Sequence, residues 1–231
     1  MSIPRSGAAA LTLALITTAC LAACGSDPLS SMSAEQIASK AVSDLNSESQ
    51  FNLSGNVDEN GQNLALTLAY KTPSSCSGTI AINGKGNLAV VSIDGTAWIK
   101  PDATFWQSYA GAQAQKAISL LGDKYLKSAP NDSNVSTLTS LCTVSSLSSA
   151  FTSAGTLTKG DATTVDGQQA IPLKNTHGAT VYVSDTSSPQ VLEITNSSAS
   201  NGGKIDFKYG QSTAVAAPAV AETVDGSQFG F

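Results

Sequence analysis

The sequence predicts an α+β fold, in which a large curved antiparallel sheet of about ten or eleven strands forms a half-barrel with helices packed over its concave face. Three observations carry this prediction. Apolar and polar residues alternate in two blocks, residues 51–100 and 157–209. Tight turns join the strands of each block, and helical spacing appears before the first block and between the two. An open sheet of that many strands must curl, which gives the helices a concave face to cover.

Residues 1–23 have the character of a bacterial signal peptide. The small and apolar run 8–23 ends in Leu21-Ala-Ala-Cys24-Gly, which resembles the lipobox at which a cysteine is lipidated before cleavage ahead of it. Cys20 is the poorer acceptor, because Thr17 stands three residues before it where Leu21 stands before Cys24. The alternative interpretation is an ordinary secretory signal that happens to contain cysteines.

The chain is therefore expected to have three segments. They are a signal peptide at 1–23, a lipidated N-terminus and tether at 24–32, and a single ligand-binding domain at 33–231. Cys24 is the expected lipidation site, and two or more acyl chains on it anchor a protein stably where one binds only marginally. This predicts a protein held by lipid on the extracytoplasmic face of the cell membrane.

The composition argues against nucleic acid as a partner. Charged residues make up 13% of the chain, and the formal net charge is −5. Arg5 is the only arginine, so its removal with the signal takes the net charge from −5 to −6 and leaves none. Neutralising phosphates needs clustered lysine and arginine.

The first predicted helix begins at Ser33. Ser33 and Gln36 have the spacing of a capping box, and Ile37, Ala41 and Leu45 follow at helical spacing. From residue 51 the period changes to two, which predicts a meander of five antiparallel strands joined by tight turns. These strands are expected at residues 51–57, 64–70, 78–82, 88–93 and 96–100.

The middle of the chain predicts two helices, at 106–121, ending near Gly122, and at 136–151. The second region is rich in serine and threonine, so a Ser-rich linker is the alternative. A second block of strands follows. Its members are expected at residues 157–159, 163–165, 169–174, 179–184, 189–196 and 204–209.

Two cysteines, Cys76 and Cys142, remain once Cys20 is removed and Cys24 is lipidated. In an oxidising compartment such a pair predicts one disulfide, with two buried free thiols as the alternative. Two cysteines and the single histidine, His177, are too few for a zinc site.

No catalytic motif stands out in the sequence. It contains neither the G-x-S-x-G elbow nor S-x-x-K, so neither type of serine nucleophile is supported. His177 comes just before Gly178 at a predicted turn, and we interpret it as a surface residue and not as a general base. We expect no enzymatic activity and no cofactor or metal.

The apolar residues of the predicted strands form either a packed core or the lining of a lipid cavity, because the two look alike in sequence. Only 6% of the residues are aromatic, which leaves few large side chains to fill the space between sheet and helices. The candidate lining residues are Leu64, Leu66, Leu68, Val90, Val181, Ile205 and Phe207.

Several segments resemble actinobacterial lipoproteins of the LppX/LprG/LprF type, which have a LolA-like fold. Besides the lipobox they are Ala34-Glu-Gln-Ile-Ala-Ser-Lys-Ala-Val, Phe51-Asn-Leu-Ser-Gly-Asn-Val, Asp94-Gly-Thr-Ala-Trp-Ile and Pro189-Gln-Val-Leu-Glu-Ile. The resemblance covers most of the mature chain through loose patterns. It implies a half-barrel that moves an acylated lipid or glycolipid through the envelope, with no catalytic residues, and only Cys24 carries over. The cysteine pair and the Ser/Thr-rich second helical region depart from the family pattern.

The leading hypothesis is a lipid-binding or lipid-carrying envelope lipoprotein with an apolar cavity between sheet and helices. The alternative is a membrane-anchored binding or sensory module for a protein or cell-wall partner, whose hollow is filled by its own side chains. Several hundred cubic ångströms of apolar space would favour the first.

Overall fold

A computed structural model describes residues 28–59, 61–129, 131–152, 155–198, 202–211 and 213–229. The predicted signal peptide and Cys24 lie outside the described residues. The helices are α1 (Ala34–Ser47), α2 (Ala103–Tyr109), α3 (Ala114–Leu121), α4 (Ser136–Leu141) and α5 (Val144–Thr152). The strands are β1 (Gln50–Glu59), β2 (Gln62–Lys71), β3 (Ser75–Ile82), β4 (Gly86–Ile93), β5 (Thr96–Pro101), β6 (Tyr125–Lys127), β7 (Leu157–Lys159), β8 (Thr163–Val165), β9 (Gln168–Asn175), β10 (Ala179–Ser184), β11 (Val191–Asn196), β12 (Gly203–Lys208) and β13 (Thr223–Asp225).

These strands form one open sheet, in the order β13-β6-β5-β4-β3-β2-β1-β12-β11-β10-β9-β7, with β8 paired to β9 beside that path. The predicted fold class is confirmed. The described residues contain 13 strands, two more than the sequence blocks indicate. The additional strands, β6 and β13, have three residues each and are too short to show alternation. They also form the sheet's parallel pair.

The first helix begins as the sequence predicts. The Ser33 side chain accepts a hydrogen bond from the Gln36 backbone N–H, and the Gln36 side chain accepts one from the Ser33 N–H. This capping box satisfies two backbone donors that a helix start leaves free. The buried face of α1 consists of Ala34, Ile37, Ala38, Ala41 and Leu45.

The middle helices differ from the prediction in their bounds and in their number. The helix expected at 106–121 starts earlier, because the Asp102 carboxylate accepts a hydrogen bond from the Phe105 N–H at 2.7 Å and caps α2. A 3₁₀ turn, Gly111–Gln113, then separates α2 from α3. The helix expected at 136–151 is two short helices that meet at Cys142 and Thr143.

Residues 28–32, expected to belong to a tether, pack against the domain. Leu29 is 1% exposed, and its backbone N–H donates to Asp185 Oδ1 at 3.1 Å. Lys159 Nζ donates to the backbone oxygens of Leu29, Ser30 and Met32. The packed domain therefore includes residues on the N-terminal side of Ser33. A turn with one buried leucine leaves no periodic signal in the sequence, and the expected division into segments stays a prediction.

The core lies between one face of the sheet and helices α1, α4 and α5. A single cluster of buried residues joins Ile37 of α1 and Val144 of α5 to Leu53 of β1, Leu173 of β9 and Val90 of β4. No helix in the described part of the chain has the length and apolar character needed to cross a membrane.

Candidate functional site

The helix-covered face of the sheet is arranged in rows set by the strand register. At the end where β1 begins, here called the upper end, Phe51 lies opposite Tyr70. Towards the β1–β2 turn, called the lower end, Leu53 pairs with Leu68, Gly55 with Leu66 and Val57 with Leu64. Because side chains on one face recur every second residue, these rows continue across the neighbouring strands.

The upper end is filled by aromatic side chains. The rings of Phe51 and Tyr70 stack with their centroids 4.6 Å apart, and Phe207 lies 5.9 Å from Phe51. The Tyr70 hydroxyl donates to the backbone oxygen of Leu141 at 2.9 Å. Burial raises the pKa of Tyr70, so the phenol stays neutral and remains a donor at ordinary pH. This half of the concave face is a closed core.

A disulfide joins the helices to the sheet at the same end. Cys76 of β3 is bonded to Cys142, between α4 and α5, and the two Cα atoms are 5.1 Å apart. Both residues are fully buried. The Val144 N–H also donates to the Pro73 oxygen at 3.1 Å. Together with the Tyr70 hydrogen bond, these contacts fix the α4–α5 junction to the upper end of the sheet.

A pocket of about 600 Å³, here called the larger pocket, lies below α4 on the lower half of the face. Its floor comes from β1 to β5 and its roof from α4, α5 and the residue before α4. The apolar lining residues are Val57, Leu64, Leu66, Ile80, Leu88, Ile99, Val135, Leu138, Leu141 and Leu147. Thr137, Ser140 and Ser146 are exposed and add hydroxyl groups to the lining.

A second pocket of about 270 Å³, the smaller pocket, lies on the other side of α5. Strands β1, β7 and β9 to β12 supply its lining, which is Leu53, Leu157, Leu173, Ala179, Val181, Ile194, Ile205 and Phe207, with Leu147 from α5. Asn175 and Asn196 contribute the polar side chains. The Asn175 side-chain oxygen accepts hydrogen bonds from the His177 and Ala179 N–H groups, and the Asn196 oxygen accepts one from Ser198.

The two pockets adjoin at the centre of the sheet. Leu147 lines both of them. On the floor, the position between Leu66 and Ile205 is Gly55, which carries no side chain. A Cβ there would meet the backbone of Lys204. The sheet therefore presents no side chain at Gly55, between the two pockets.

The seven candidate lining residues all lie on this one face, but five of them line a pocket and two lie in the closed core. Leu64 and Leu66 line the larger pocket, and Val181, Ile205 and Phe207 line the smaller one. Leu68 and Val90, each 1% exposed, lie in the closed core and line neither pocket. That any of them contacts a ligand stays a prediction.

Sequence reasoning missed the roof and the polar rim. Leu138, Leu141 and Leu147 lie in a Ser/Thr-rich region whose helical nature was itself uncertain from the sequence. Asn175 and Asn196 each end a strand, and asparagine at a strand end is ordinarily a turn residue. Only the pairing of β9, β10 and β11 brings both amides to one pocket.

The described residues contain no group of three or more histidine, cysteine, aspartate or glutamate side chains placed to hold a metal ion. His177 is exposed in the turn between β9 and β10. Its surroundings are those of a turn residue, as the sequence indicates.

No protein-family model matches the sequence, and no curated protein matches it. Solved structures do. LprF from Mycobacterium bovis is 10% identical and aligns over 80% of this chain and 97% of its own, with a TM-score of 0.56. The Mycobacterium tuberculosis lipoprotein LppX is also 10% identical and aligns over 79% and 98%, with a TM-score of 0.50. The chain has the LolA-like fold. This confirms the fold that the sequence resemblance implies, and at such low identity it is the fold that the likeness shows.

Proposed function

We propose that this protein is a lipid-anchored envelope lipoprotein that binds or carries an acylated lipid or glycolipid and performs no catalysis. The observation that carries the proposal is the pair of apolar pockets, of about 600 and 270 Å³, between the lower half of the sheet and helices α4 and α5. LprF and LppX share the fold, and LppX is described as a lipoprotein. The acyl chains of the cargo would lie in the pockets.

The pockets suit acyl chains by size and by chemistry. Ligand pockets commonly measure about 300–1,000 Å³, and the larger pocket falls within that range. Both pockets are open to solvent, so their apolar linings are surface that a ligand could cover. Each methylene moved from water to an apolar lining gains about 0.8 kcal/mol. A cavity of several hundred cubic ångströms is also what distinguishes a lipid carrier from a module whose hollow is filled by its own side chains.

The polar groups near the pockets fit a headgroup. The Asn175 and Asn196 side-chain oxygens accept hydrogen bonds from the turns that follow them, so the amide nitrogens are the groups left to meet a ligand. At the larger pocket, the groups placed to meet a ligand are the hydroxyls of the exposed residues Thr137 and Ser140. A cargo with hydroxyl or sugar groups beside its acyl chains would use both kinds of contact.

Anchoring rests on Cys24 and is inferred from the sequence. Five residue steps separate Cys24 from Leu29, which is already buried in the domain. A fully extended chain of that length spans about 17 Å, so an anchored domain would stay close to the bilayer. Replacing Cys24 by serine should abolish both the attached lipid and the cleavage ahead of residue 24, so the variant should keep its first 23 residues and take up no labelled fatty acid. Unchanged processing and labelling of Cys24→Ser would reject the anchor without bearing on the pockets.

The cargo claim is tested by filling each pocket with a matched control on the opposite face of the same strand. Leu66→Trp fills the larger pocket, and Thr67→Trp places the same side chain on the exposed face of β2. Val181→Trp and Thr180→Trp form the corresponding pair on β10. If an introduced ring displaces two methylenes of the cargo, binding weakens about 15-fold at about 0.8 kcal/mol each.

Lipid binding by the four variants is compared after circular dichroism has shown that each one folds. The pocket variants should bind less, and the outer-face controls should bind as the unmodified protein does. Equal binding by Leu66→Trp, Val181→Trp and their controls would contradict the proposal. A protein that carries no lipid at all would favour the alternative, a protein or cell-wall partner.

A further inference from the structure

Helices α2 and α3 carry apolar side chains that the fold does not bury. Phe105, Trp106 and Tyr109 lie on α2, which has no buried residue, and Tyr109 is 51% exposed. Leu120 on α3 is 61% exposed. We call these four residues the aromatic surface. Its rings are in mutual contact, with Phe105 centred 4.4 Å from Tyr109 and 6.2 Å from Trp106.

The aromatic surface is held rigidly. Asp102 caps α2 and also accepts hydrogen bonds from the Asn87 backbone N–H at 3.0 Å and from its side-chain amide at 2.7 Å. Gly86 lies so close to the start of α2 that a Cβ there would collide with the Phe105 backbone. The helix is thus fixed to the start of β4, together with its rings, of which Tyr109 is exposed and Phe105 and Trp106 are half-buried.

Two lysines flank the aromatic surface. Lys85 lies 5.3 Å from the centre of the Tyr109 ring, and Lys116 lies one helical turn before Leu120 on α3. Within the described ranges, no carboxylate forms an ion pair with either lysine. The nearby Asp102 caps α2, and Asp123 pairs with Lys100.

We propose that the aromatic surface docks onto an anionic lipid bilayer. Tryptophan and tyrosine favour the membrane–water interface, and lysines beside them gain about 1 kcal/mol each from anionic headgroups. A short rigid helix with aromatic residues and flanking lysines has the composition of an interfacial anchor. Lys85 and Lys116 supply the charge complementarity that identifies an anionic bilayer as the occupant.

A protein partner fits this surface less well. Helix α2 has seven residues, so it is about 10 Å long and, with its side chains, about 10 Å wide. Even with Leu120 added, that is far below the about 800 Å² that each partner contributes to a standard interface. A bilayer needs no matching shape and accepts a few inserted rings.

The position of the aromatic surface determines which end of the sheet docking would bring to the bilayer. Helix α2 follows β5 at the lower end of the sheet, where Leu88 and Ile99 line the larger pocket. Docking through α2 would bring that end of the sheet to the bilayer; because Leu29 contacts Asp185 at the upper end, an anchored protein would dock with its sheet lying along the bilayer. The docking claim does not depend on a cargo, because it concerns the outside of the protein, and it goes beyond the proposed function.

The test uses the unlipidated chain from Gly25 to Phe231, which contains the whole described sheet and its core. The chain has two tryptophans, so Trp98→Phe leaves Trp106 as the single fluorescent reporter. Vesicles of phosphatidylcholine with and without phosphatidylglycerol are added. We expect a blue shift of Trp106 and its quenching by brominated acyl chains with the anionic vesicles, and weak or no binding without phosphatidylglycerol.

Lysine variants then separate local docking from overall charge. Lys85→Gln with Lys116→Gln removes two lysines beside the aromatic surface, and Lys71→Gln with Lys174→Gln removes two exposed lysines elsewhere at equal net charge. At about fivefold per lysine, the first pair should weaken vesicle binding about 25-fold and the second little. Equal weakening by both pairs, or binding without a Trp106 blue shift and bromine quenching, would overturn the proposal. Neither result depends on whether the pockets hold lipid.

Discussion

The disulfide between Cys76 and Cys142 should contribute a large share of the domain's stability. The two residues are 66 positions apart. On the chain-entropy account, closing a loop of that length removes about 15 cal/mol/K from the unfolded ensemble, which is about 4 kcal/mol at 25 °C. Domains of this kind are commonly stable by 5–15 kcal/mol in total. Replacing both cysteines by alanine should therefore leave a folded but much weaker protein.

Urea unfolding followed by circular dichroism measures the effect. With a slope of about 2 kcal/mol/M, a loss of about 4 kcal/mol lowers the unfolding midpoint by about 2 M. The unmodified chain, unfolded and refolded in the presence of reductant, is the chemical control and should show a similarly lowered midpoint. Because Cys76 and Cys142 are both buried, reductant added to the native protein should act slowly.

A loss below about 1 kcal/mol at an unchanged slope would refute the entropic reasoning. It would mean that the unfolded chain already holds β3 near the α4–α5 junction, since residual structure removes the loop-closure advantage. The Tyr70–Leu141 hydrogen bond joins the neighbouring strand β2 to the same junction, since Tyr70 pairs with Cys76. If the disulfide and this hydrogen bond act on one junction, the effects of Tyr70→Phe and of the cysteine replacements should not add.

Three further perturbations test local features by urea unfolding. Ser33→Ala removes half of the capping box of α1 and should cost about 1 kcal/mol, so an unchanged midpoint would contradict that role. Burial raises the pKa of Asp102, but hydrogen bonds from Phe105 and Asn87 outweigh this effect and lower the pKa. The carboxylate therefore stabilises the fold above about pH 4 and loses this effect as acid protonates it. Asp102→Asn should lower the stability at pH 7 and flatten the acid limb of the stability–pH profile, and an unaltered acid limb would contradict this role of Asp102. Gly86→Ala should destabilise the protein far more than Gly84→Ala. Both glycines have positive φ, but only at Gly86 would the new Cβ collide with α2. Equal losses of stability would show that α2 moves to accommodate the Cβ.

Much of the fold was readable because each strand is locally consistent. The alternation in residues 64–70 gave β2 its inward and outward faces, and the observed pairing of Leu64, Leu66 and Leu68 with β1 keeps those faces. The helix start at Ser33 was readable because a capping box is a contact within one turn. Strands β6 and β13 could not be predicted from the sequence, because three residues are too few to show a period. Their parallel pairing also joins segments about a hundred residues apart.

The site was readable only in part, because a pocket depends on what covers the sheet. Sequence alternation places Val90 and Val181 on the same face, yet Val90 is in the closed core and Val181 lines the smaller pocket. What separates them is where the aromatic rings and the disulfide hold the helices, and those contacts are long-range. The empty floor position at Gly55 has meaning only once Leu66 and Ile205 are known to flank it.

If the two pockets hold an acylated lipid, the purified protein should carry it. Native mass spectrometry combined with lipid extraction detects such a cargo on the chain from Gly25 to Phe231, produced in a bacterial host. Residues 28–32 belong in this chain because Leu29 is part of the core. We expect a mass above that of the protein alone, which is lost on extraction and recovered as a lipid with at least one acyl chain. A chain at its bare mass, still folded and still unloaded after incubation with extracted envelope lipids, would contradict it.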